Sequence, residues 1–196
     1  MNSREKILAA VKQHNSGTAS LPELAPLYYR EEDPLTAFRT VLEFIGGHLV
    51  EVSSPAALPE ALQKTYPGAG RIVSVLPALR DVAAPVAAEA DPHSFENVDV
   101  AVLAGRFGVA ENGAVWITEE EMIHRALPFI CTQLALVLPA GAIVSTMHDA
   151  YEKIGAAEQG FGVFIAGPSK TSDIEQSLVL GAHGPKGMTV FLVKEG

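Results

Sequence analysis

The sequence predicts an α/β fold, a largely parallel sheet with helices on both faces, and three observations carry the prediction. Short apolar runs recur at 48–52, 71–76, 98–104, 114–118, 134–138, 162–166 and 188–193. Segments with apolar residues at helical spacing separate several of them, and buried parallel strands read as continuous apolar runs. No internal repeat or linker-like stretch divides the 196 residues. They are therefore read as one domain: a helix and wrapping segment over 1–33, then the α/β core over 34–196.

Ile7, Leu8 and Val11 share one helical face, with Ser3 as the expected N-cap. Residues 15–33, rich in Gly, Ser, Pro and acidic side chains, read as a connecting segment. Pro34 suits a first helical position, Leu35, Phe38, Leu42 and Ile45 make one apolar stripe, and Gly46-Gly47 ends the helix. A strand over 48–52, a helix over 55–65 and a strand over 71–76 follow. Residues 77–92 are loosely helical or looped. Strands at 98–104, 114–118 and 134–138 precede a helix from Thr146 to Ala157. The chain closes on an expected βαβ unit: a strand to Ala166, a short helix over 173–180 and a strand over 188–193.

A composition of 48% hydrophobic and 19% charged residues belongs to a globular protein rather than a disordered one. The net charge of −9 argues against nonspecific nucleic-acid binding, which needs a basic surface. No apolar stretch reaches the ~18 residues of a membrane span. The first residues lack the apolar core of a secretory signal, so a cytoplasmic location is expected. Cys131 is the sole cysteine, set in an apolar context that favours core filling over nucleophilic chemistry. The histidines show no metal-ligand spacing, and no metal site is expected. Phosphate-loop and dinucleotide fingerprints are absent.

Three stretches hold the residues that suggest chemistry. Between the strands at 98 and 114, Ala110-Glu111-Asn112-Gly113 places a carboxylate beside an Asn-Gly turn. Glu111 reads either as an exposed turn residue or as a nucleophile or general base. Gly167-Pro168-Ser169-Lys170-Thr171-Ser172-Asp173-Ile174-Glu175 joins hydroxyls and a cation to an expected helix start. There Ser172 and Glu175 fit a capping box, and the dipole favours an anion. Gly181-Ala182-His183-Gly184-Pro185 presents an imidazole between glycines, either a proton carrier or a helix C-terminal cap. Glu119-Glu120-Glu121 reads as a solvated acidic run. Arg125 is either a fork for a carboxylate or phosphate, or a surface ion-pair partner.

These stretches, with Arg125 to Pro128, resemble the LUD domain, the lactate-utilisation family, and in particular its short C-type subunit. The resemblance is strong over residues 98–193 and confined to element order over 1–97. It implies a three-layer α/β/α sandwich of the NagB/RpiA/CoA-transferase type. The family usually has Ala-Glu-Thr-Gly where this chain has Ala110-Glu111-Asn112-Gly113. That change brings the turn close to the Glu-Asn-Gly of family I CoA-transferases, whose glutamate forms the covalent acyl-CoA intermediate. The resemblance further implies a role in oxidising L-lactate to pyruvate beside iron–sulfur partner subunits. The clusters would sit in those partners, with no cofactor in this chain. The expected site has Glu111 and His183 as catalytic groups. A small anion would be bound by Asn112, Gly113, Arg125, Gly167, Ser169, Lys170, Thr171, Asp173 and Gly184. The competing expectations are a stand-alone CoA-transferase-like or sugar-phosphate-handling enzyme, and a purely structural assembly subunit.

Overall fold

The computed structural model describes residues 2–14, 20, 22–23, 29–156, 160–172 and 178–194. In chain order the helices are α1 (Ser3–His14), α2 (Pro34–Phe44), α3 (Leu58–Thr65), α4 (Glu119–Met122), α5 (Leu127–Ile130) and α6 (Met147–Ile154). The strands are β1 (His48–Val52), β2 (Ile72–Ser74), β3 (Val100–Ala104), β4 (Phe107–Val109), β5 (Ala114–Thr118), β6 (Gln133–Pro139), β7 (Ile143–Val144), β8 (Gly162–Ile165), β9 (Lys170–Ser172), β10 (Leu178–Leu180) and β11 (Gly187–Val193).

Five strands form the central sheet in the order β1-β11-β6-β3-β2, and every pairing in it is parallel. The inner strands β3, β6 and β11 are buried on both faces, which is why they read as largely apolar runs. Along β3 and β6 the side chains alternate. Val100, Val102 and Ala135 pack with Leu58 and Leu62 of α3, while Ala101, Leu103, Leu134 and Leu136 pack with Phe38 and Leu42 of α2. The expected helix from Pro34 is therefore present with its stripe inward. Asp33 caps it, its carboxylate accepting from the Thr36 amide at 3.1 Å.

The α/β plan with helices on both faces of a mostly parallel sheet holds, with one addition. Beside α2 lies a second, four-stranded sheet in the order β7-β4-β5-β8, in which β4–β5 and β5–β8 are antiparallel. Val115 and Ile117 of β5 join the core between the two sheets, and Ala150 of α6 covers the outer face beside Phe107 and Val109. The strands expected at 114–118 and 162–166 belong to this sheet, so the closing segment is not a βαβ unit. Of the helix expected over 173–180, residues 173–177 lie outside the described residues. Leu178–Leu180 is a strand, paired antiparallel with Lys170–Ser172 as a small ribbon. The spacing of Ile174, Leu178 and Val179 over so short a window does not distinguish the two periods, and cross-strand pairing decided. The capping residues Asp173 and Glu175 lie outside the described residues.

At the N-terminus Asn2, not Ser3, caps α1. Its side chain accepts from the Glu5 amide at 2.8 Å while Glu5 accepts from the Asn2 amide at 2.9 Å. Ile7, Leu8 and Val11 are exposed. Among the described residues no helix is long and apolar enough to cross a membrane.

Cys131 is buried in the core beside the central sheet, and burial pushes its thiol up to about 12. The exposed thiol of the unfolded chain titrates near ~8.5. Between those values the folded protein keeps a proton that the unfolded chain has lost, so stability falls as pH rises, by roughly 1.4 kcal/mol per unit. Below that window the thiol is protonated in both states and contributes no pH dependence. Denaturant unfolding at pH ~8 and ~10 is expected to show about 2 kcal/mol more loss in the wild type than in Cys131→Ala. Equal losses would mean that the thiol ionises within the fold.

Candidate functional site

The last turn of α2 is the platform on which the site is built. Ile45 closes the helix and Gly46 follows with φ +91°. The β4–β5 hairpin seats its loop there. At Gly113 the backbone has φ +68°, and a Cβ would come within 3.0 Å of the Leu42 amide nitrogen and 3.1 Å of its Cα. Only glycine accepts both the conformation and the approach. Asn112 closes the same loop, its side-chain carbonyl accepting from the Ala114 amide at 3.0 Å.

Because β8 runs antiparallel to β5, its end lies beside the start of β5, with Val115 opposite Ile165. That register brings the turn after β8 to the same platform. A Cβ at Gly167 would lie 3.1 Å from the Ile45 carbonyl oxygen, and the Lys170 ammonium lies 3.4 Å from where a Gly46 Cβ would stand. The turn after β10 wraps the same segment. The Ser169 amide donates to the Pro185 carbonyl at 2.9 Å, and its carbonyl accepts from the Gly181 amide at 3.0 Å. Gly184 approaches Ser169 closely enough that a Cβ would stand 3.0 Å from the serine Cβ. The Gly113 loop and the Gly167–Lys170 turn thus meet around Ile45 and Gly46, and the Gly181–Pro185 turn packs on Ser169 beside them.

Within this cluster Gly113 and Gly167 are buried, Ser169, Thr171 and Gly184 are half-buried, and Lys170 and His183 are exposed. Thr171 pairs with Val179 in the ribbon. Glu111 is exposed and belongs to the same loop as Gly113, but its carboxylate is engaged. It accepts from the Met147 amide at 2.7 Å, at the first turn of α6, while its own amide donates to the Ser145 carbonyl at 3.0 Å. Thr146 and Asp149 form a capping box on that turn, so Glu111 satisfies a further free N–H and complements the dipole.

Arg125 is elsewhere. It lies beyond the opposite end of β5, with its guanidinium 2.5 Å from Glu119 and 5.1 Å from the Phe161 ring centroid. The cleft expected from Glu111, Arg125, Lys170 and His183 therefore does not include Arg125. Ten to fifteen ångströms of strand intervene on the ordinary rise of about 3.3 Å per residue. The neighbouring acidic run is paired as well as solvated. Arg106 binds Glu121 at 2.7 Å and Glu120 at 2.5 Å, and Glu121 completes the capping box of α4. Burial works against the Glu121 charge, but the Thr118 and Arg106 contacts prevail and hold its carboxyl below the usual value.

The cluster sits at the amino end of the central sheet. Gly46-Gly47 leads into β1 and Gly181–Lys186 leads into β11, its hydrogen-bonded neighbour. The general rule places α/β ligands at the opposite, carboxyl edge. The anion-binding expectation rested on a helix start at Ser172 and Asp173; Ser172 is strand, paired with Leu178 in the ribbon, and Asp173 lies outside the described residues. What remains is a cation, an imidazole and folded turns. The carbonyl end of α2 lies beneath them, which favours the Lys170 ammonium and places any anion on its outer side. Sequence reasoning missed the Ile45–Gly46 platform, for which the Gly-Gly helix stop was the only local sign. Among the described residues no group of three or more His, Cys, Asp or Glu side chains is placed to hold a metal ion.

A solved structure places this architecture in a class. A DUF162 family protein from Deinococcus radiodurans matches it with a TM-score of 0.65, covering 82% of this chain and 96% of that one. At 19% identity the likeness concerns the fold alone. The LUD domain matches residues 74–193, and the chain belongs to the LUD domain family. Lactate utilization protein C of Bacillus pumilus is 31% identical over 107 residues, and that of Bacillus subtilis 29% over 106. An uncharacterised protein of Neisseria meningitidis is 28% identical over 102. The alignments cover 50 to 51% of this chain and 44% of each of these relatives.

Proposed function

We propose that this chain is a non-redox subunit of a lactate utilisation system, supporting oxidation of L-lactate to pyruvate in the cytoplasm beside iron–sulfur partner subunits. It binds a small carboxylate or phosphate anion where the three turns meet. One observation carries the reading: the Glu-Asn-Gly loop and the Gly-Pro-Ser-Lys turn converge on the last turn of α2, and the Gly-Ala-His-Gly-Pro turn packs on Ser169 of the latter. The names of the Bacillus relatives supply the pathway. In the proposed site Lys170 holds the anion, His183 moves a proton at the same rim, and Glu111 supplies a carboxylate from the adjoining loop. The single buried thiol of Cys131 cannot hold a cluster, so the electrons pass through the partners.

A strain lacking this gene should fail to grow on L-lactate, and wild type should restore growth. Lys170→Met at matched expression is expected to restore it poorly, because one charge-assisted contact to an anion is worth about 1.5–3 kcal/mol. Growth of the deletion strain on L-lactate would remove the pathway assignment. Full rescue by Lys170→Met would remove the anion site and leave an assembly role.

A further inference from the structure

The outer face of the four-stranded sheet carries a second constellation that the turn cluster does not use. Trp116 of β5 and Phe164 of β8 have ring centroids 4.5 Å apart. Phe107 and Tyr151 meet Phe164 edge-on at 6.3 and 6.0 Å. The indole packs directly on Gly162, where a Cβ would come within 2.4 Å of the ring, so a side chain at that position would displace it. Beside these rings is a cavity of about 430 Å³ lined by Arg106, Phe107, Trp116, Lys153 and Ile154.

Its charges are unevenly satisfied. Arg106 uses its Nε and one terminal nitrogen on Glu121 and Glu120. Lys153 holds its ammonium 5.0 Å from the Phe107 ring centroid and has no carboxylate partner among the described residues. The Lys153 cation beside an aromatic wall is a local attractive point for an anion, set against the repulsion of a chain of net charge −9. The rings give a bare inorganic ion little to recognise, and the two cations give a purely apolar ligand little. A ligand with both a flat π-face and a negative group uses the whole cavity, whose size lies within the usual range for small-molecule sites.

We propose that this cavity is a second small-molecule site, for a planar heteroaromatic ring carrying a phosphate, the chemistry of a nucleotide. The ring stacks against the edge-anchored Trp116, and the phosphate takes Lys153 and the remaining donors of Arg106. The site is independent of the lactate assignment and stands or falls by its own test.

Trp116 is the only tryptophan in the chain, so its fluorescence reports on this cavity alone. Adenosine 5′-monophosphate, adenosine and inorganic phosphate are titrated separately, with calorimetry in parallel. The monophosphate should quench Trp116 saturably, and adenosine and phosphate should each bind about tenfold or more weakly. Lys153→Gln should weaken the monophosphate about tenfold, while Lys64→Gln, the same charge loss on α3, should leave it unchanged. Lys153→Arg should retain most of the binding. The proposal is overturned if the monophosphate gives no saturable response, if adenosine matches it, or if Lys153→Gln binds it as wild type does.

Discussion

Glu111→Gln is expected to abolish rescue of L-lactate growth while leaving the fold in place. The carboxylate accepts from the Met147 amide at 2.7 Å, and a glutamine carbonyl can accept the same bond. The substitution removes only the charge near the start of α6, a cost of about 0.3–1 kcal/mol. What disappears is a group able to take a proton or carry an acyl intermediate. Glu111→Ala should lower stability by about 1 kcal/mol as well, because the amide loses its acceptor. Growth at matched expression, read beside the melting temperature of each variant, separates the two effects. Full rescue by Glu111→Gln would reduce Glu111 to the anchor of α6.

Phe38→Ala should bring the largest loss of stability, about 4 kcal/mol. Phe38 is wholly buried in α2 and reaches the second sheet, where a Cβ at Gly108 would come within 2.8 Å of its ring. Neighbouring elements on both sides fix the space it fills, so the cavity cannot collapse easily. For a domain of this length the melting temperature should fall by roughly 12 °C. Phe44→Ala, on the same helix but 87% exposed, should change stability by no more than about 0.5 kcal/mol. Since α2 carries the platform, Phe38→Ala should also loosen the three turns, and hydrogen exchange of the Gly113 amide should rise. Equal effects of the two phenylalanines would contradict the packing role assigned to Phe38.

Much of the fold was legible because its signals are local. The stripe Leu35, Phe38, Leu42 and Ile45 matches a helical face, and its end at Gly46-Gly47 follows from helix-stop chemistry. The runs at 100–104, 134–138 and 188–193 are strands because burial on both faces demands largely apolar sequence. The second sheet was less legible. The Asn112-Gly113 turn marks a return at the start of Ala114–Thr118, and β4 pairs antiparallel across it, but the pairing of Gly162–Ile165 with the same strand shows only in the register of Val115 against Ile165. The same limit applies to Leu178–Leu180, expected as the end of a helix and paired instead with Lys170–Ser172.

The site divides along similar lines. Residue chemistry singled out Glu111, the Ser169-Lys170-Thr171 turn and the Gly181–Pro185 stretch, because glycine beside polar or titratable side chains marks backbone that approaches something closely. Sequence left Arg125 open between anion fork and surface partner, and its contacts with Glu119 and Phe161 assign it to the other end of β5. By itself, then, the sequence determined the α/β class, the parallel core and the segments where polar chemistry is concentrated. The tertiary structure alone decided that the Gly113 loop and the Gly167–Lys170 turn meet on Ile45 and Gly46 with the Gly181–Pro185 turn packed on Ser169, at the amino edge of the sheet, and that Glu111 reaches α6. Strand register and helix seating bring residues from distant positions together, and no local pattern encodes the partner that an exposed turn will meet.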